Sequence, residues 1–378
     1  MNIKFEELFD QKMEQEYFSP GRINLIGEHI DYNGGTVFPM SINLGTYGYL
    51  NMRNDSKIRL YSLNFEEVGI IEANIDEIAY DERYNWGNYV LGVIDVFQKA
   101  GYKITNGFNL LVNGTIPNGS GLSSSASLEV LIGRILIDNF KLDINDIDLA
   151  LYAQKAENEF MGVNCGIMDQ FIIANGTDKG ALSINTDSLD YNVVEFDLKD
   201  NIIVVLNSNK KRGLVDSEYN QRRQSCENVL KISKEKYDVN NLCDLSVQQL
   251  DTLVLDKEDY NRALHAITEQ DRVIKSINSL TSGNINDFGS ILYEGHSSLK
   301  DLFEVSCKEL DFIVDSCKEL GFIGARMTGA GFGGCCIALI NKNETDKLEV
   351  LKEQYEKEFE LELEYYLVYA NDKTKKIN

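Results

Sequence analysis

Phe108-Asn-Leu-Leu-Val-Asn113-Gly-Thr-Ile-Pro-Asn-Gly119-Ser120-Gly121-Leu122-Ser123-Ser124-Ser125-Ala126-Ser127 carries two periodicities and a hinge between them. Phe108, Leu110 and Val112 alternate on one face, which predicts a strand over Phe108–Asn113. From Leu122 to Ile137 the chain is apolar almost all round, which predicts a helix buried on most sides. Where a loop opens a helix, successive N–H groups and the positive end of the helix dipole converge on it. Gly119 and Gly121 let the backbone come close to a ligand, and Ser123, Ser124 and Ser125 are more hydroxyls than a cap requires. We read an anion site, against the alternative of a serine-capped turn. The lysine of G-x-x-x-x-G-K-[ST] is absent, so bound phosphate needs the dipole, Mg²⁺ and a residue from elsewhere.

Two other matches are rejected. Gly329-Ala-Gly-Phe-Gly-Gly334 satisfies G-x-G-x-x-G, but an apolar strand pattern follows it where a dinucleotide fold needs a helix. Asp287-Phe288-Gly289 spells a protein-kinase tripeptide, yet it precedes the glycine cluster, and no H-R-D exists.

Outward from the loop, strands are expected at Thr36–Ile42, Ile58–Leu63, Ile202–Leu206, Cys335–Ile340 and Leu361–Tyr369. A helix is expected over Asp146–Phe160, and helices dominate from Glu218 to Leu320. The division between halves is placed near residue 200, giving 1–200 and 201–378. A formal charge of −23 over 378 residues argues against a nucleic-acid or anionic-membrane partner. No run of ~18 apolar residues and no signal-peptide pattern occurs. Seven scattered cysteines without C-x-x-C fit a reducing cytosol, and three histidines make a His-rich metal site a poor expectation.

Pro20-Gly-Arg22-Ile-Asn-Leu-Ile-Gly-Glu28-His29-Ile-Asp31-Tyr32 packs a cation, two acids, a histidine and a phenol around an apolar run. Carboxylates and directional polar groups suit a polyhydroxylated ligand. A strand ending in a polar turn at Asn33-Gly34-Gly35 reads equally well, and this stretch alone leaves both open. Glu157 sits beside the apolar stripe of its predicted helix, and Asp169 lies among apolar residues on both sides. Near a phosphate loop such a pair suggests one metal ligand and one group facing a nucleophilic hydroxyl. By position alone, Glu157 is also an ordinary solvated helix acid.

Taken together, these residues resemble the galactokinases of the GHMP kinase superfamily. Three motifs carry the resemblance: Gly21 to Pro39, Pro117 to Ser127, and Gly324-Ala-Arg-Met-Thr-Gly-Ala-Gly-Phe-Gly-Gly334. Ala156-Glu-Asn, Cys165-Gly-Ile-Met-Asp-Gln, Ser217-Glu-Tyr-Asn-Gln-Arg-Arg and Gly295-His-Ser-Ser-Leu fill the intervals. Phe38 and Cys336 are slight departures. The resemblance implies an α+β, two-domain fold, with an N-terminal domain like ribosomal protein S5 domain 2, a ferredoxin-like C-terminal domain, and the site between them. It implies ATP-dependent phosphorylation of galactose at the C1 hydroxyl, the first committed step of galactose catabolism by the Leloir pathway, in a cytoplasmic monomer. Asp169 would be the base and Arg22 its partner. Glu28, His29, Asp31, Gly166 and Tyr219 would hold the sugar. Gly119, Ser120, Gly121, Leu122, Ser123, Ser124 and Ser125 would cradle ATP, and Ser125 and Glu157 would ligate Mg²⁺. The rival readings are an N-acetylgalactosamine kinase and a non-catalytic sensor of galactose and ATP.

Overall fold

A computed structural model describes residues 1–117, 119–210 and 215–378; Asn118 of the loop quoted above lies outside them. After α1 (Asn2–Phe9), the first sheet is built from β1 (Gln15–Ile26), β2 (Thr36–Met52), β3 (Lys57–Ser62), β4 (Ile71–Asn74), β5 (Phe108–Gly114), β6 (Gly180–Asn185) and β7 (Tyr191–Glu195). Its helices are α2 (Gly87–Lys99), α3 (Ser124–Phe140), α4 (Asp146–Lys155) and α5 (Met168–Asn175). The second sheet takes β8 (Asn201–Asn207), β9 (Gly324–Thr328), β10 (Cys335–Asn341) and β11 (Glu364–Val368), in spatial order β11-β8-β10-β9. With it go α6 (Val215–Lys234), α7 (Val247–Leu250), α8 (Lys257–Thr281), α9 (Ile285–Asp301), α10 (Lys308–Glu319) and α11 (Lys347–Phe359). The chain then returns to the first sheet as β12 (Lys375–Lys376), which pairs with Tyr17 and Phe18 of β1. The fold is α+β. Among the described residues no helix is long and apolar enough to cross a membrane.

The long path of the first sheet runs β12-β1-β2-β5-β3-β4, with β6 and β7 attached to β2. β2 runs well past the expected Ile42: Asn43 and Leu44 bulge out of the ladder with β1, which resumes at Gly45, and Gly45 and Gly48 interrupt the apolar alternation without ending the strand. It pairs in turn with β6, β1 and β5. β1 is buried along nearly its whole length, and its register shifts at Pro20/Gly21. Such a bulge accommodates a proline and re-aims the side chains just beyond it; the next residue but one is Arg22.

The helix expected over Asp146–Phe160 divides. α4 ends at Lys155, and Ala156–Phe160 forms a π-helical turn. One extra residue in the turn rotates the chain about the helix axis, which sets the direction of Glu157. Both rejected motifs have structural explanations. The glycine cluster leads into β10, and Asp287-Phe288-Gly289 lies inside α9. There Gly289 allows α9 to touch the chain entering β9: a Cβ at this position would lie 2.2 Å from the Ile323 carbonyl oxygen.

That contact is backbone against backbone, so neither side can yield by a rotamer change. Gly289→Ala is expected to lower the unfolding free energy by about 1–3 kcal/mol, measured by denaturant titration. An unchanged midpoint would contradict the packing described.

Candidate active site

Arg22 leaves β1 with its side chain only 6% exposed. Its Nε donates to Asp169 Oδ1 at 2.8 Å and its Nη2 to Oδ2 at 2.6 Å, a two-pronged ion pair. Its Nη1 donates to the Gly121 carbonyl at 2.7 Å. One guanidinium thus joins β1, the start of α5 and the loop before α3. Asp169 sits in the first turn of α5, with its side chain 29% exposed. Ser123 gives its hydroxyl to Asp169 Oδ2 and caps nothing. Its φ of 64° places a non-glycine residue in the left-handed region, the kind of local strain that persists where the surroundings over-determine it.

Glu157 is not a solvated helix acid. It is buried, and its Oε1 accepts from the Ser125 hydroxyl at 3.0 Å. Its Oε2 accepts from Gln170 Nε2 at 2.6 Å, and the Cys165 thiol lies 3.6 Å away. The same Gln170 nitrogen reaches Glu129 at 3.2 Å. Burial raises the pKa of Glu157; burial and the neighbouring Glu157 raise that of Glu129. Sequence reasoning passed over Glu129. The signal was present as an acid inside the otherwise apolar run Leu128 to Ile132, where a charge is costly unless satisfied.

At the end of β1 the signature residues gather. Glu28 Oε2 accepts from Asn24 at 2.6 Å, and Oε1 accepts from the Gly329 amide at 2.7 Å with Arg326 3.3 Å away. Burial raises its pKa, and Arg326 opposes that rise. His29 has φ 62°; its Nδ1 lies 2.8 Å from the Tyr32 hydroxyl and its Nε2 3.2 Å from the Ala330 carbonyl. Burial pushes its pKa down to about 3, so the ring is neutral. Its ring stands 5.6 Å from that of Tyr219, centroid to centroid. Burial, then the charges of Asp169 and Glu28, push Asp31 up to about 7. Gly166 is required beside it, since a Cβ there would sit 1.7 Å from Asp31 Oδ2.

These residues line one cleft of ≈ 430 Å³, with Arg22, Glu28, His29, Asp31, Asp169 and Tyr219 on its walls. A second lobe of ≈ 370 Å³ adjoins it, walled by Phe65, Trp86, Tyr89 and Leu128 with Asn64 and Asn85. Gly119, Ser124 and Ser125 border both. Ser120 and Leu122 border neither: Leu122 packs in the core, and the Ser120 hydroxyl accepts from the Leu122 amide at 3.4 Å. Sequence reasoning missed the second lobe entirely, although its Trp86 is the chain's one tryptophan. The indole Nε1 of Trp86 is buried without a hydrogen-bond partner.

Comparison with known proteins shows the family. Residues 3–51 match the galactokinase galactose-binding signature, 88–177 the GHMP kinases N terminal domain, and 274–359 the GHMP kinases C terminal domain. The chain is 46% identical to a galactokinase of Clostridium acetobutylicum, covering 100% of this chain and 98% of that one. It is 44% identical to a galactokinase of Ligilactobacillus salivarius, covering 99% and 98%. The crystal structure of Lactococcus lactis galactokinase complexed with galactose superposes with a TM-score of 0.96 at 42% identity, covering 100% and 98%. Methanococcus jannaschii mevalonate kinase, at 20% identity and TM-score 0.70, covers 95% and 99% and shares the fold.

Asp31 gives a pH signature. An unfolded aspartate loses its proton near pH ~4, whereas the folded one keeps it to about 7. Between these values the native state holds the extra proton, so the Asp31 contribution to stability falls as pH rises and levels off above about 7. Asp31→Asn removes that term. The stability of the variant relative to wild type should therefore grow from pH 4 to 7 in ligand-free melts. Parallel profiles would contradict the desolvated, acid-flanked setting of Asp31.

Proposed function

The chain belongs to the galactokinase family, and from that membership we propose the transfer of the γ-phosphoryl group of ATP to the C1 hydroxyl of α-D-galactose, giving galactose 1-phosphate and ADP. The observation that carries this reading is the Arg22–Asp169 fork in the cleft beside the mouth of α3. The sugar occupies the cleft walled by Glu28, His29, Asp31, Gly166 and Tyr219. The adenine ring enters the lobe walled by Phe65, Trp86, Tyr89 and Leu128, where flat apolar side chains suit a planar base.

Phosphoryl transfer passes through a loose transition state, so the protein's part is chiefly positioning and charge stabilisation. A carboxylate has roughly four acceptor positions. Arg22 takes two of those on Asp169 and Ser123 one, which leaves about one for a hydroxyl in the cleft. Asp169 thus has a fixed direction from which to take the C1 proton as the sugar oxygen bonds to phosphorus and the bond to ADP breaks. Arg22, held rigidly, also faces charge developing on the moving phosphoryl group. The amides of Gly119 to Ser125 and the dipole of α3 receive the phosphates. Ser120 and Leu122, whose amides donate within the loop to the Pro117 carbonyl and to Ser120 Oγ respectively, shape it without facing either lobe, and the Ser123 hydroxyl serves Asp169.

A kinase using ATP works with a divalent metal, and we assign it as Mg²⁺. Among the described residues no group of three or more His, Cys, Asp or Glu could enclose a metal ion. Ser125 Oγ and Glu157 Oε1, 3.0 Å apart, instead fit a hard cation that keeps waters and substrate phosphates as its other ligands. When bound, Mg²⁺ offsets negative charge on the β- and γ-phosphates. None of the seven cysteines forms a disulfide among the described residues, which supports a reducing cytosol.

A coupled assay of ADP release should give turnover with galactose and far less with glucose, N-acetylgalactosamine or mevalonate; preference for any of the last three would overturn the substrate assignment. Asp169→Asn should bind ATP normally while kcat falls by ~10²-fold or more, and a variant keeping a tenth of the wild-type rate would remove Asp169 from the chemistry. Arg22→Lys should be nearly as impaired, because an ammonium cannot grip both carboxylate oxygens and Gly121 together. Near-normal turnover in that variant would reduce Arg22 to a point charge.

A further inference from the structure

Leaving β1, residues 25–28 have backbone groups that β2 does not satisfy in a regular ladder, and buried side chains from the second half of the chain take them. Glu269 of α8 accepts the amides of Gly27 at 2.9 Å and Glu28 at 3.2 Å on a single oxygen, Oε1. Arg326 of β9 donates to the Leu25 carbonyl at 3.0 Å. His265 lies 3.2 Å from the Glu28 carbonyl. Glu269, Arg326 and His265 have no solvent exposure.

The charges balance. Glu269 and Glu28 face Arg326 and Arg272, and burial holds the His265 ring neutral at about 4. Burial alone would raise the pKa of Glu269, but Arg272 and Arg326 outweigh it and hold the group at about 2. Its two oxygens are divided: Oε1 takes the two amides, and Oε2 takes Arg272 Nε at 2.6 Å. Arg326 stands between two carboxylates, 3.3 Å from Glu28 and 4.0 Å from Glu269. In a buried cluster, removing one charge leaves its partners uncompensated, and they reorganise. Without the charge on Glu269, Arg326 would draw wholly on Glu28, and the amides of Gly27 and Glu28 would lose their charged acceptor.

We propose that Glu269, acting with Arg326, is a positioning residue that sets galactose affinity from behind the sugar pocket. It touches neither substrate. Its hydrogen bonds end on the turn carrying Glu28 and His29, whereas Trp86 and the mouth of α3 make no contact with it. Loss of its charge therefore weakens the sugar and spares the nucleotide. This proposal rests on the galactokinase reading given above.

The test is steady-state kinetics of Glu269→Gln, which keeps shape and acceptor oxygen but loses charge. We expect galactose KM to rise about tenfold or more, the size of a lost charge-assisted contact at ~1.4 kcal/mol per decade, with kcat within threefold and ATP KM within twofold. A folded variant with galactose KM within twofold of wild type overturns the proposal. So does a parallel change in both KM values and kcat, which marks a general scaffold. Should Glu269→Gln fail to fold by circular dichroism, Arg272→Gln removes the outer partner of Glu269 without touching the turn. It should show the same split at about threefold, and an unmoved galactose KM there overturns the proposal. Wild-type protein without galactose turnover would overturn the functional reading and this one together, whereas active wild type with an unaltered variant overturns only this one.

Discussion

The buried guanidinium of Arg22 is the constraint on which the active site depends. It is one cation with three acceptors on two other parts of the chain, both oxygens of Asp169 and the carbonyl of Gly121. None of these groups is near it in sequence, and a bulge between β1 and β2, with its extra residues on β2, aims it at them. Satisfying this cation fixes how α5, the phosphate loop and β1 meet. The cost of leaving any donor unmatched at this depth makes the arrangement rigid, and rigidity is what in-line transfer requires.

The electrostatics present a second problem, because a chain of net charge −23 must take up a polyanion. The cleft itself is acidic: Glu28, Glu129 and Glu157 are buried and Asp31 half-buried within or against it, and desolvation shifts the pKa of each upward. Such groups wait for a cation or a donor. A metal beside Glu157 and hydroxyl groups beside Asp31 would each relieve part of that penalty. Substrate binding and charge relief are in this sense one event, and the repulsive field becomes a source of selectivity for a metal–nucleotide pair over a bare nucleotide.

Local patterns in the sequence were sufficient for what local patterns determine. Period-two alternation located β5, and continuous apolarity located α3. The glycine cluster was separated from a dinucleotide site by the strand that comes after it. Period could not show that β2 continues to Met52, because its later half is held by pairing with β5 and not by an apolar stripe. Nor could it show the π-helical turn, whose extra residue alters direction without altering composition. At the site, Arg22 and Asp169 were named through resemblance, but their direct union across 147 positions is a property of the tertiary structure. Trp86 and Glu269 escaped for the same reason: each lies in an ordinary helical or turn context and gains meaning only from what folds against it. Ser123 was read among the residues that cradle ATP, whereas the fold puts its hydroxyl on Asp169, with Ser125 on Glu157 and Ser124 exposed where the two lobes meet.

The return of β12 to the first sheet bears on how such an enzyme is made. Thr374 donates to the Ile173 carbonyl in α5 and shares a hydrogen bond with Ser19 of β1, while Lys373 reaches Asp146 at the start of α4. Ser19 lies three residues from Arg22 along β1, and Ile173 four residues from Asp169 along α5, about one helical turn. On a ribosome the chain emerges N-terminus first, so both members of the pair are synthesised long before the residues that brace them from the rear. A nascent chain therefore carries an unbraced site until residues 373–376 have appeared.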